Sequence, residues 1–230
     1  MPNCVWRKEM IRLIRTIPME ELCVRLPTGL LESPLQGEEI CVFQDARIEV
    51  RDVWPDELNP STLYLLAGSL ARQREIRRTL LDSHGIDTLC LEECLELEDE
   101  NGKRFLMTPP FVELVEELVL YAKRTGSLHY PGRKVRLQIP ILHDGGHRAW
   151  MAMQDEPNKK MRVIYIARSA SWEYPTYAYP NGWDEVRVYE RIEDVLLKKL
   201  YRRDPPYSYL RPFRILGPSG TGPGERDAKS

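Results

Sequence analysis

The chain has 230 residues, of which 42% are hydrophobic and 30% charged, enough for one well-buried core with elaborations. A formal net charge of −2 gives no global pull toward nucleic acid or an anionic membrane. With no run of about 18 apolar residues and no signal-like apolar stretch at the N-terminus, the expectation is a soluble cytoplasmic protein whose five scattered cysteines are reduced thiols.

In chain order, Val5 to Thr16 has apolar residues at Val5, Trp6, Met10, Ile11, Leu13 and Ile14, which predicts a short amphipathic helix ended by Pro18. Glu20 to Leu26 and Glu39 to Val53 read as strands, parted by a loop around Pro27, Gly29, Pro34 and Gly37. Within the second of these, Arg47 to Val53 alternates charged and apolar residues, as a strand with one wet face should. Asn59-Pro60-Ser61 predicts the cap of a helix that reaches Ser83 and stops at Gly85. Its Arg72, Arg74, Arg77 and Arg78 form a basic cluster, either a solvated face or a surface for phosphate or nucleic acid.

Thr88 to Leu97 and Arg104 to Met107 predict a hairpin around Asp99-Glu-Asn-Gly102, because Asn-Gly is a strong turn signal. Cys90 and Cys94 fall on it, too few ligands for a zinc site. Thr108-Pro-Pro110 followed by Phe111 to Arg124 predicts a helix: Thr108 caps it, the prolines occupy its first turn, and Glu113, Glu116 and Glu117 precede Lys123 and Arg124. Ser127 to Lys134 then reads as a loop, and Met161 to Ile166 as a strand. Between Trp172 and Trp183 lies an aromatic loop in which Tyr177, Tyr179 and Trp183 either shape a ligand pocket or simply cover the core. Asp184 to Leu200 predicts a short strand or helix start and then a helix from about Ile192. The Gly/Pro-rich end from Gly217 to Ser230 is too polar to fold by itself.

The chemistry concentrates in Ile139-Pro-Ile-Leu-His-Asp-Gly-Gly-His-Arg-Ala-Trp150. Ile141 and Leu142 end a buried strand, Gly145 and Gly146 turn the chain, and His147 to Gln154 start a helix whose free N–H groups point back at the turn. A phosphate there would meet those donors, the positive end of the helix dipole, Arg148 and the His147 imidazole. Asp144 is the odd member. A carboxylate beside a phosphate is repelled unless it holds a metal ion or handles a proton, which makes it the candidate catalytic and magnesium-binding residue. His143 and His147 beside Asp144 also spell a possible transition-metal set, which the two glycines disfavour. The plainer reading of the whole stretch is a capped turn with structural hydrogen bonds.

Asp144-Gly-Gly-His-Arg148 resembles the D-G-x-H-R turn of the ParB/sulfiredoxin-like superfamily, nearest to its free-serine kinase branch. The likeness runs loosely from Ile48 to Ile166. It implies an α+β fold, a mixed sheet flanked by helices over residues 46–200, with an extension over 1–45 and a basic, aromatic and tail segment over 201–230. It further implies that Gly145, Gly146, His147 and Arg148 hold a nucleoside di- or triphosphate (ADP, ATP or CTP) with magnesium, that Gln73 and Arg77 flank the cleft, and that Glu57 loosely matches a catalytic glutamate.

Two classes of function follow. One is an enzyme of phosphoryl transfer or nucleotide hydrolysis, with Asp144, His147 and Glu57 as catalytic groups. The other is a non-catalytic module that binds nucleotide or nucleic acid, with a DNA nuclease as a subsidiary version.

Overall fold

The structure, a computed structural model, describes residues 11–28, 31–32, 39–40, 43, 45–121, 133–167 and 182–195. Hydrophobic alternation and two short apolar helical stripes produce an α+β fold. Its elements in order are β1 (Ile11–Pro18), α1 (Met19–Thr28), β2 (Leu31–Glu32), β3 (Glu39–Ile40), β4 (Arg47–Val53), β5 (Asn59–Pro60), β6 (Tyr64–Leu66) and α2 (Ala67–His84). There follow β7 (Glu93–Asp99), β8 (Arg104–Met107), β9 (Phe111–Tyr121), β10 (Arg133–Leu142), α3 (Gly146–Asp155), β11 (Met161–Ala167) and β12 (Arg187–Tyr189).

A mixed five-stranded sheet, ordered β4-β11-β9-β10-β5, forms the centre. Strand β11 runs antiparallel to β4 and parallel to β9, which is antiparallel to β10. Because β11 is covered on both sides, Met-Arg-Val-Ile-Tyr-Ile-Ala167 is apolar almost throughout. Its Ile164 and Ile166 pack with Phe111 and Phe43 against Met19, Leu22 and Leu26 of α1. Met161, Val163 and Tyr165 point the other way, onto Ala149, Met151 and Ala152 of α3. A second antiparallel sheet, β1-β7-β8, buries Leu95, Leu97 and Met107 against Ile76 and Leu80 of α2. Its other face carries a ladder in which Glu98 accepts from Arg12 at 2.7 Å, Glu96 accepts from Arg15 at 2.6 Å, and Arg104 lies between the two acids.

Several expected elements form as read: the β4 strand, the β7–β8 hairpin, β10 running into α3, and β11. Gly102 takes φ +77° in the hairpin turn, and Gly85 takes φ +68° to close α2 with its N–H on the Leu81 carbonyl. Others are corrected. Ile11 to Pro18 is a strand, not the end of a helix, because Ile11 and Leu13 face the core while Arg12 and Arg15 find glutamates across the strand; a bulge between Leu13 and Arg15 blurs its alternation. Residues 5–10 of that expected helix lie outside the described residues. Met19 to Thr28 is a helix, not a strand, since Met19, Leu22 and Leu26 make one stripe. Helix α2 starts at Ala67, after β5 and β6 have used Asn59 to Leu66 as sheet edges. Residues 88–92 precede β7 and are not strand, so Cys90 lies off the hairpin.

The largest correction is β9. Phe111 packs against α1, Val112 and Leu114 pack against α3, Val115 is buried too, and a strand apolar on both faces imitates a helical stripe. Pairing with β10 and β11 decides between the two, since both neighbours supply backbone partners that a helix would leave unmatched. The helix expected from Ile192 is a single 3-10 turn, Ile192–Asp194, among the described residues; the continuation to Leu200, with Tyr177 and Tyr179 of the aromatic loop, lies outside them. Phe111 is wholly enclosed, so Phe111→Ala should lower unfolding stability by about 3–5 kcal/mol, read from the urea midpoint.

Candidate functional site

Strand β10 ends beside β5, and the chain then turns through His143, Asp144 and Gly145 into α3. Gly145 adopts φ +86°, and a Cβ on it would stand 2.7 Å from both Cβ and Cγ of Pro110. Glycine is therefore required twice over, by conformation and by space. The Thr108-Pro-Pro110 segment, expected to open a helix, is instead the surface against which this turn is moulded.

Arg148 explains how that surface is held. Its side chain is only 6% exposed, Nη1 donates to the Thr108 carbonyl at 2.6 Å, and Nη2 lies 3.4 Å from Asp144 Oδ2. Burial pushes its pKa down, against the pull of Asp144. The Asp144 side chain is 40% exposed and is the acidic group at the mouth of the turn.

His147 faces α2. The Leu66 amide donates to its Nε2 at 3.2 Å, which requires that nitrogen to be unprotonated. Burial accordingly pulls the imidazole pKa down to about 4, in spite of Asp144. Eight residues further along each helix, Arg74 grips Asp155 through two bonds of 2.6 and 2.9 Å. Equal spacing from Leu66 to Arg74 and from His147 to Asp155 means that α2 and α3 run parallel with their N-termini level. Neither has a side-chain cap or an acidic residue in its first turn. Two positive helix ends thus meet at one place.

At the other end the charges are matched. Arg77 donates to Asp87 at 2.7 and 2.9 Å and also pairs with Glu156, while Lys159 joins the same two acids. These cations hold Asp87 well below the usual carboxylate range. Arg72 lies 3.6 Å from Asp99 and Arg78 3.6 Å from Glu75, so each arginine of the basic cluster has an acidic neighbour.

The turn therefore brings Asp144, Gly145, Gly146, His147 and Arg148 together. Gln73 lies two turns along α2 with its Oε1 enclosed, and Arg77 lies a turn beyond, among carboxylates. Glu57 is exposed on the Pro55–Glu57 turn that packs on α3. Trp183 donates to the Pro55 carbonyl at 3.0 Å and lies against Trp150 at a tilt of 48°, with centroids 6.1 Å apart. His143 and His147 are not a ligand pair: His143 Nε2 meets Glu113 at 2.8 Å, and no cluster of three His, Cys, Asp or Glu fit for a metal occurs among the described residues.

Glu113, Ser61 and Thr108 are site neighbours that the sequence reading missed. A lone acid inside the apolar run Phe111 to Val115 was the available signal for Glu113, and the helical reading hid it.

A family model, the ParB CE domain, matches residues 28–187. The chain belongs to the ParB CE domain family. No curated protein and no solved structure matches it significantly. The ParB CE span includes every element from β2 to β11, and so the whole candidate site, but leaves β1 and nearly all of α1 outside. No helix of this ParB CE domain, among the described residues, is long and apolar enough to cross a membrane.

Gly145→Ala should be destabilised by at least about 2 kcal/mol in chemical unfolding, from the left-handed backbone and the clash with Pro110. The folded state binds a proton at His147 more weakly than the unfolded chain does. Its contribution is therefore complete above pH 6.5 and is lost as pH falls toward 4, by on the order of 3 kcal/mol. Unfolding midpoints measured between pH 4 and 7 should show that slope, and His147→Asn should remove most of it.

Proposed function

We propose that this chain is a nucleotide-binding enzyme that holds the terminal phosphate of a nucleoside di- or triphosphate where the N-termini of α2 and α3 meet. The observation that carries the reading is the level, parallel pairing of two helices that lack caps and first-turn acids. Such ends favour an anion through both their free N–H groups and their dipoles. Gly145 and Gly146 allow close approach, and neutral His147 aligns the two helices without adding charge. In this reading Arg148 serves from inside, fixing the Thr108 segment and Asp144, rather than touching phosphate.

Asp144 is the acidic group within reach of that anion. A single half-exposed carboxylate suits magnesium bound jointly with phosphate oxygens and water, and does not suit an all-protein cage. Magnesium would neutralise developing charge on the phosphate. Asp144 would orient it or take the proton of the attacking hydroxyl or water, and exposed Glu57 is the second acid in that role. Transfer to a small hydroxyl compound, the reaction of the free-serine kinase branch, and hydrolysis both fit this arrangement.

A second reading is a module that binds nucleotide without turnover, favoured by there being one catalytic-type carboxylate in the turn itself. Binding or cleavage of nucleic acid through α2 is less well supported, because Arg72, Arg74, Arg77 and Arg78 are already matched by acids.

A thermal-shift panel of ATP, ADP, CTP and GTP, with and without magnesium, tests the reading, since a ligand of the native state raises its melting temperature. A magnesium-enhanced shift with at least one nucleotide is expected, and no shift with any of them overturns it. Asp144→Asn should keep the metal-free shift and lose about 100-fold or more in turnover. Undiminished turnover would take the catalytic role from Asp144.

A further inference from the structure

Glu113 and His143 form a charged or dipolar pair sealed in the protein: their side chains are 0% and 3% exposed, and Oε2 and Nε2 are 2.8 Å apart. A carboxylate near the start of the central strand β9 loses its hydration, and an apolar residue at the same place would avoid that loss. The position suggests what offsets it. Glu113 sits opposite Ile141 in the β9–β10 register, two residues before His143, so both side chains lie on the sheet face that packs against α1. His143 immediately precedes Asp144.

His143 is held by at least three contacts. Its N–H donates to the Phe111 carbonyl at 2.8 Å, its carbonyl accepts from Ser61 Oγ at 3.5 Å, and its ring is fixed by Glu113. Two of the three holds come from β9 and one from the chain between β5 and β6. The Asp144 carboxylate, by contrast, has among the described residues one long side-chain contact, 3.4 Å to Arg148. The placement of the Asp144 carboxylate is thus delegated to its neighbour. We infer that Glu113, acting through His143, is the positioning residue that aims Asp144 at the magnesium-bearing phosphate. This rests on the nucleotide reading above.

The chain's own geometry separates two kinds of contact. Phosphate held by helix N–H groups needs α2 and α3, whereas the metal-dependent increment needs Asp144 in place. Loss of the Glu113 anchor should therefore remove the second and spare the first. A brace for stability alone would lower the melting temperature of the free protein and leave the metal dependence of the ligand shift intact.

The test uses the full chain, with the nucleotide that gives the largest shift in the wild type, and measures its affinity with and without magnesium. Glu113→Leu is expected to keep the metal-free affinity within about 2-fold while reducing the magnesium enhancement at least 10-fold. Glu113→Gln keeps an oxygen that can accept from the imidazole N–H, and should restore most of the enhancement. Should Glu113→Leu fail to fold, Glu113→Asp carries the same test. Its carboxylate is withdrawn by one methylene and should lose at least half of the enhancement.

A folded variant that retains the full magnesium enhancement, or loses metal-free and metal-dependent binding alike, overturns the inference. Wild-type protein that binds no nucleotide at all instead sinks the nucleotide reading on which it rests.

Discussion

The hydrogen bond from the Leu66 amide to His147 is the constraint on which the candidate site depends. It joins the first turn of α3 to Leu66, the residue just before α2, and with Arg74–Asp155 it fixes the relative placement of the two helices. Parallel helices with level ends set like poles beside each other, an arrangement that antiparallel packing would have avoided. The ion pairs of Arg77 and Lys159 with Asp87 and Glu156 join the second half of α2 to the chain that leaves α3. The positive ends have no internal compensation from side-chain caps or first-turn acids.

Around that pairing the interior polar groups serve as fasteners between layers. Arg148 ties the start of α3 to the carbonyl of Thr108, just before β9. His143 ties the end of β10 to β9 and to the approach to β6. Each removes a charge or dipole from water and is satisfied by a partner from a different part of the chain, which specifies one register rather than adding much net stability. The turn between β10 and α3 is consequently fixed from both sides of the sheet, while the Asp144 carboxylate stays half in solvent.

Much of the site's location was legible in the sequence, and little of its support. The change from an apolar strand to a helix across Gly145 and Gly146 is a local signal, and the chain folds there as that signal indicates. The direction of the Arg148 side chain is not local, because it depends on where Thr108 arrives through the β8–β9 connection. For the same reason Phe111 to Tyr121 misled: its capping residues, prolines and charge order satisfy helix rules, and only pairing with β10 and β11 makes it a strand. At β1 a bulge spoiled the two-residue period, so that Arg12 and Arg15, three residues apart, meet Glu98 and Glu96, which are two apart on β7.

The boundary of the ParB CE match has a practical consequence. It begins at Thr28, yet β1 pairs with β7 along its whole length and α1 covers Cys94, Phe111, Ile164 and Ile166. A chain trimmed to Thr28–Arg187 would turn β7 into a bare outer strand and strip one side of the central sheet of its lid. Unpaired strand edges and uncovered apolar faces recruit other molecules. The residues that complete both sheets therefore reach back past the start of the family span to Ile11.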